Sequence, residues 1–283
     1  MHPIYNYIKE SLAPVYPEGE TSAMAKWILT DVFGMSTVDL YTGKDNDFSS
    51  DMRERLEDIL TRLRQHEPLQ YILGTTSFCG LPFSVDANVL IPRPETEELV
   101  NWIVTDHNQR HDVRVLDIGT GSGCIAISLA KMLDEAQVSA WDISEGALTV
   151  AATNAQRNAV GVDFCRVDVL SEFIPQGDYD VVVSNPPYIT ISEKKDMEDN
   201  VMDWEPHTAL FVPDADPLLF YRRIAELSRQ LLSDGGGLYF EINRAFGQQT
   251  ADMMTALGYA DVMVRKDFFG NDRMVKGIWK RKN

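Results

Sequence analysis

The chain has 283 residues, 44% of them hydrophobic and 24% charged, a length that holds one large domain or two smaller ones with cores of their own. Asp and Glu number 43 against 26 Lys and Arg, and the net charge of −17 disfavours extended contact with a nucleic-acid backbone. No run reaches the roughly 18 to 20 apolar residues of a membrane span, and Met1 to Glu10 lack the pattern of a secretory leader, so a cytoplasmic protein without membrane contact is expected.

Residues 1–74 read as a small helical bundle. Met24, Trp27, Ile28 and Val32 recur at helical spacing after Pro17, with Thr21 or Ser22 as candidate caps. Met52, Leu56, Ile59, Leu60 and Leu63 line one face of a later helix, while Arg53, Glu54, Glu57, Asp58, Arg62 and Arg64 take the other. Gly34 and the polar stretch 43–50 punctuate these helices. The bundle is either a structural cap or a module that grips a partner. Residues 75–92 read as a hairpin linker, with turns at Gly80-Leu81-Pro82 and Asp86-Ala87-Asn88. In Ile91-Pro92-Arg93-Pro94-Glu95-Thr96-Glu97 the prolines hold the backbone extended, and Pro94 or Glu95 opens a helix bearing Leu99, Trp102 and Ile103. By composition this stretch also fits a rigid domain junction.

Residues 93–283 form the third segment. Beyond His111 strand and helix alternate: strands over 113–118, 138–142, 162–168 and 179–184, and helices over 122–133 and 145–158, which implies parallel strands with right-handed crossovers in an α/β fold. A further helix with Leu218, Ile224, Leu227 and Leu231 is expected to end at Gly235-Gly236-Gly237, ahead of a strand from Leu238 to Ile242. One more helix and two β runs around Gly270-Asn271-Asp272 would close the sheet with an antiparallel edge.

Cys79, Cys124 and Cys165 are too scattered for a disulfide framework or a zinc site and are expected as small buried residues, and the five histidines form no chelating pair, so no metal is expected. The chemistry concentrates elsewhere. Val115-Leu116-Asp117-Ile118-Gly119-Thr120-Gly121-Ser122-Gly123 runs from a buried strand through a glycine turn into a helix, the arrangement that lets a backbone approach a nucleotide-like ligand. Dehydrogenases use a similar turn. About 20 residues on, Asp142 ends the next strand, where an acid takes both ribose hydroxyls or caps a helix. Asp168, after the third strand, can accept from an adenine amino group or brace a turn. The fourth strand ends in Asn185-Pro186-Pro187-Tyr188. Asn185 Oδ1 and the Pro186 carbonyl can accept both N–H bonds of a planar nitrogen group, the prolines stiffen that array, and Tyr188 can stack on or flank it. Such a clamp suits methyl transfer to a poorly nucleophilic nitrogen better than hydride transfer.

With these motifs the sequence resembles the release-factor glutamine methyltransferases, the PrmC/HemK family. The matching stretches are Glu67 to Gly74, Phe78-Cys79-Gly80 with Phe83 to Val85, Val89 to Glu97, Asp117 to Gly123, Asn185 to Tyr188, Glu205-Pro206 with Ala209-Leu210, and Asp267 to Arg273. The tetrapeptide alone is shared with methyltransferases acting on adenine amino groups, on DNA or RNA; Ile91 to Glu97 is the specific stretch. The resemblance implies a class I, Rossmann-like domain with a doubly wound, mainly parallel seven-stranded sheet, a helical N-terminal domain that binds the substrate protein, and a hairpin between them. It implies S-adenosyl-L-methionine as donor and N5-methylation of the glutamine in the Gly-Gly-Gln motif of peptide chain release factors. Asp117, Gly119, Thr120, Gly121, Gly123, Asp142, Asp168 and Asn185 would then contact the donor, and Asn185 to Tyr188 the glutamine amide. Many relatives carry an aromatic residue where this chain has Val169, and Phe173 is a candidate substitute. A non-catalytic donor-binding protein is the alternative from another class, and the intact glycine turn and Asn185 speak against it.

Overall fold

The computed structural model describes residues 2–42, 48–172, 176–196 and 199–281, so part of the expected 43–50 break and Phe173 lie outside the described residues. Contacts divide the chain into two units, Met1–Gly74 with Asp199–Trp204, and Thr75–Glu198 with Glu205–Asn283.

The first unit is helical, with α1 (Pro3–Leu12), α2 (Glu18–Trp27), α3 (Thr37–Thr42), α4 (Ser50–Leu63) and α5 (Leu69–Leu73). Leu56, Ile59, Leu60 and Leu63 of α4 are buried as their spacing predicts, against Tyr5, Ile8 and Leu12 of α1 and Ile28 and Leu29 beyond α2. The expected caps of α2 are a misreading. Pro17, extended at φ −59 and ψ 155, precedes the first helical residue, while Thr21 and Ser22 lie inside the helix and donate back to the Glu18 carbonyl at 3.0 and 2.8 Å. Arg62 grips Glu67 with Nε at 2.7 Å and a terminal nitrogen at 2.5 Å, which fixes the turn into α5.

The second unit starts with a hairpin, β1 (Thr75–Phe78) and β2 (Leu81–Ser84). Its turn is Cys79-Gly80, one residue earlier than expected. Both residues have positive φ, 48 and 72, as a two-residue primed turn demands, and Pro82 is a strand residue opposite Ser77. Helix α6 (Pro94–His107), with Pro94 in its first turn, leads to β3 (Arg114–Ile118), α7 (Cys124–Met132), β4 (Gln137–Asp142), α8 (Glu145–Arg157), β5 (Asp163–Arg166) and β6 (Tyr179–Ser184). After it come β7 (Ile189–Thr190), α9 (Asp199–Trp204), which is counted with the first unit, and then, in the second unit, α10 (His207–Leu210), β8 (Phe211–Val212), α11 (Leu219–Leu231), β9 (Leu232–Glu241), α12 (Gly247–Ala256), β10 (Ala260–Lys266) and β11 (Asp272–Ile278).

Seven strands make one sheet in the order β10-β11-β9-β6-β3-β4-β5, parallel from β9 to β5, with β11 antiparallel to both of its neighbours. Alternate strand residues serve opposite faces. Val115, Val181, Val183 and Tyr239 pack with Leu99, Ile103, Ile125 and Leu129 of α6 and α7, together with Phe78 and Phe83 of the hairpin. Leu116, Val182, Leu238 and Phe240 pack with Tyr221, Ile224 and Met254 of α11 and α12. The sheet is therefore doubly wound.

Gly235-Gly236-Gly237 lie inside β9 and do not close a helix. The carbonyl of Trp279 accepts from Gly235 N, and Trp279 N donates to the Gly236 carbonyl, each at 2.8 Å, so the chain beyond β11 recruits the glycines into the sheet edge. The three cysteines are free, but only Cys124 is buried; Cys79 is half-buried and Cys165 is exposed on the edge strand β5.

Candidate active site

Strands β5, β4, β3 and β6 lie side by side, and each ends in one of the residue groups singled out by sequence: Asp168, Asp142, the glycine turn and Asn185 to Tyr188. In a parallel sheet these carboxyl ends share one edge, with the strand order turning back at β3, the place where open α/β sheets bind ligands. Neighbouring strands are about 4.8 Å apart, so the row from Asp168 to Asn185 spans about 14 Å. Ser184 Oγ donates to the Ile118 carbonyl at 2.6 Å and locks the ends of β6 and β3 together.

The glycine turn is built for close approach. Gly119 and Gly121 take φ of 74 and 54, and a Cβ placed on either would meet no atom within 4 Å, so their open side faces free space. Gly123 differs: a Cβ there would stand 2.9 Å from Ile127 Cδ1 and 3.1 Å from Ala151 Cβ, so this glycine lets α7 and α8 close up. Gly119 N and Thr120 N donate to the Trp141 carbonyl at 2.8 and 3.0 Å, and Gly121 N donates to Asp142 Oδ2 at 2.9 Å.

Asp142 Oδ1 accepts from Ser144 N at 2.9 Å; the cap of α8 is Ser144, so Asp142 is a loop tie and not the helix cap. Asp168 Oδ1 accepts from Leu170 N at 2.9 Å, a turn brace. Val169 packs toward the α11 face, its carbonyl accepting from Arg223 Nε at 2.8 Å. Asp117 is fully buried: Oδ2 accepts from Thr120 Oγ1 at 2.6 Å and from Ala126 N at 3.3 Å, while Oδ1 has no protein partner. Burial pushes its carboxyl up to about 7. Two glycines with open faces, two strand-end acids and a buried acceptor without a partner form a donor set that fits an adenosyl ligand with an amino-acid arm.

Asn185 is half-buried, and its Nδ2 lies 3.4 Å from Thr96 Oγ1 of α6. Pro186 is buried. The Tyr188 hydroxyl donates to Glu241 Oε1 at 3.5 Å, and its carbonyl accepts from Asn243 Nδ2 at 3.2 Å. Thr96 Oγ1 donates to Glu241 Oε2 at 2.5 Å. Glu241, fully buried at the end of β9, escapes the sequence reading; the available signal is a lone acid in the apolar run Leu238 to Ile242. Arg93 and Glu97 do not pair with each other. Arg93 binds the buried Glu205 at 2.6 Å, and Glu97 accepts from Cys79 N at 2.8 Å, which ties α6 to the hairpin turn. Among the described residues no acidic, histidine and cysteine cluster could hold a metal ion, and no helix is long and apolar enough to cross a membrane.

Comparison with known proteins agrees with this arrangement. Residues 96–203 match the methyltransferase small domain family and residues 4–74 the PrmC N-terminal domain family. Release factor glutamine methyltransferase of Bacteroides thetaiotaomicron is 53% identical over 276 residues, covering 97% of this chain and 99% of the relative. The chain belongs to the release factor glutamine methyltransferase family. The family member of Flavobacterium psychrophilum is 44% identical, over 94% of this chain and 95% of its own. A solved methyltransferase from Pyrococcus furiosus shares the fold, with a TM-score of 0.53 at 17% identity over 82% of this chain and all of its own. Within this glutamine methyltransferase family member the residues quoted for the resemblance divide into two groups. Asp117 to Gly123 and Asn185 to Tyr188 stand at the strand ends, whereas Glu67, Glu97, Arg93 with Glu205, and Asp267 with Arg273 at 3.1 Å are tied to other protein groups.

Proposed function

We propose that this enzyme transfers a methyl group from S-adenosyl-L-methionine to the side-chain amide nitrogen of the glutamine in the Gly-Gly-Gln motif of a peptide chain release factor. The single observation that carries the reading is the placement of Asn185-Pro186-Pro187-Tyr188 beside the glycine turn, on adjacent strand ends β6 and β3. The family supplies the substrate class; the 53% identity to a named release factor glutamine methyltransferase extends over nearly the whole of both chains.

When bound, the donor supplies an electrophilic sulfonium methyl. Asp117, Gly119, Thr120, Gly121 and Gly123 would hold its amino-acid end, Asp142 its ribose and Asp168 the adenine edge. The chain's part in the reaction is orientation. An amide nitrogen is a weak nucleophile because its lone pair is conjugated, so a carbonyl array that takes both N–H groups fixes the nitrogen in line with the methyl. The same array stabilises the positive charge that builds up there. Asn185 Oδ1 and the Pro186 carbonyl form that array, and no strong general base is required, since the nitrogen loses its proton as or after the methyl arrives.

Incubation with methyl-labelled S-adenosyl-L-methionine and purified release factor tests the reading. Label is expected on the wild-type release factor and absent from a variant whose Gly-Gly-Gln glutamine is replaced by alanine. Label on added DNA or RNA would support an adenine-amino acceptor and overturn the assignment.

A further inference from the structure

Glu241 is an acid at 1% exposure within the apolar run Leu238 to Ile242, and no part of the proposed donor binding uses it. It lies on the face of β9 that carries Tyr239, the face turned to α6, and its oxygens are engaged by two hydroxyls. A carboxylate only accepts hydrogen bonds. The one proton of Thr96 Oγ1 is therefore committed to Glu241 Oε2, and the threonine oxygen has only lone pairs left for Asn185. Of the two ends of the Asn185 amide, only Nδ2 can meet a lone pair.

We infer that Glu241 is a positioning residue for methyl transfer, acting through Thr96 to keep Asn185 Nδ2 turned inward and Oδ1 turned outward as an acceptor for the substrate amide. The inference rests on the reading of Asn185 as the clamp on the glutamine nitrogen. An asparagine without this constraint presents either end with similar ease, and its NH2 end would face another N–H. Thr96 sits in Ile91 to Glu97, so the specific sequence stretch and the generic tetrapeptide meet in one hydrogen-bond chain.

The chain has a polarity that protonation reverses. A neutral Glu241 donates to Thr96, the threonine proton is freed for Asn185 Oδ1, and the amide turns over. Burial pushes Glu241 up to about 6, opposed by the Thr96 hydrogen bond, the Arg273 guanidinium of β11 and the Tyr188 hydroxyl, and reinforced by Glu95 of α6. Arg93 adds positive potential at Tyr188. Transfer is thus expected to weaken as pH falls through about 6, the range in which Glu241 gains its proton.

The test measures kcat and both KM values from about pH 5 to about pH 8 for wild type, Glu241→Gln, Thr96→Val and Thr96→Ser, with S-adenosyl-L-methionine and purified release factor. At saturating donor, so that titration of Asp117 at the donor end does not enter, the wild type should lose kcat on the acid side. Glu241→Gln should lower kcat about tenfold at neutral pH and lack the acid limb. Thr96→Val, which keeps the carboxylate and cuts the link, should show the same loss, and Thr96→Ser should restore it. Persistence of the acid limb in Glu241→Gln, wild-type kcat in Thr96→Val, or no rescue by serine would overturn the inference. If Glu241→Gln does not fold, the threonine pair decides alone. Absence of transfer by the wild type would instead overturn the functional reading, so the two failures are distinct.

Discussion

Asp117 shows how one buried side chain couples the site to pH. Its carboxyl is pushed up to about 7 from the ordinary 3.8, chiefly by burial, with hydrogen bonds from Thr120 and Ala126 acting in the opposite sense. The folded protein therefore keeps a proton that the unfolded chain has released. Its contribution to stability is fully present below about pH 4 and is lost as pH rises through about 7. Asp117→Asn removes that dependence while leaving an acceptor for Thr120. In urea titrations the unfolding free energy of Asp117→Asn relative to wild type is expected to shift in the variant's favour from about pH 5 to about pH 8. A pH-independent difference would mean that the carboxyl is ionised in the folded state throughout. At this scale the sequence is legible where chemistry is contiguous, as in Asp117 to Gly123 and Asn185 to Tyr188. It is silent where partners are remote: Thr96 and Glu241 meet at a sequence separation of 145. Asp142 shows the intermediate case, since its strand-end position was readable but its tie to Gly121 N depends on the loop geometry.

Among the elements, the glycine turn works because each glycine has a different neighbour. Gly119 and Gly121 open outward, whereas Gly123 lets α7 pack on α8. Gly123→Ala, at φ 81 and 2.9 Å from Ile127 Cδ1, is expected to destabilise the fold by about 1 to 3 kcal/mol, measured by chemical denaturation. Wild-type stability in that variant would show that the two helices have slack. Strand and helix order was readable from periodicity because buried parallel strands are near-continuous apolar runs, as in Val181-Val182-Val183. Boundaries set by tertiary partners were not. The glycines 235–237 look like a helix stop in isolation, yet the backbone of Trp279 draws them into β9. Thr21 and Ser22 look like caps, yet Pro17 already sets the extended residue before α2. Pro82 looks like a turn residue, but the positive φ angles belong to Cys79 and Gly80.

For the whole molecule, the acidic balance and the family agree in favouring a protein acceptor. The net charge of −17 offers little attraction to a phosphate backbone, and the tetrapeptide Asn185 to Tyr188 by itself does not separate a base amino group from an amide. The separation comes from the rest of the chain, from α6 with Thr96 to the N-terminal family match over 4–74. In the doubly wound sheet the residues proposed to hold the donor follow β3, β4 and β5, and the proposed clamp follows β6. On this proposal most donor contacts and the clamp belong to different strand ends, so a substitution in the clamp should affect transfer far more than donor binding. Asn185→Ala, compared with wild type by calorimetric titration of S-adenosyl-L-methionine and by label transfer to release factor, tests this directly. Donor affinity should stay within a few-fold while transfer falls by about two to three orders of magnitude, the scale expected for losing an oriented acceptor at the reacting atom. Near-normal turnover in Asn185→Ala would contradict the account.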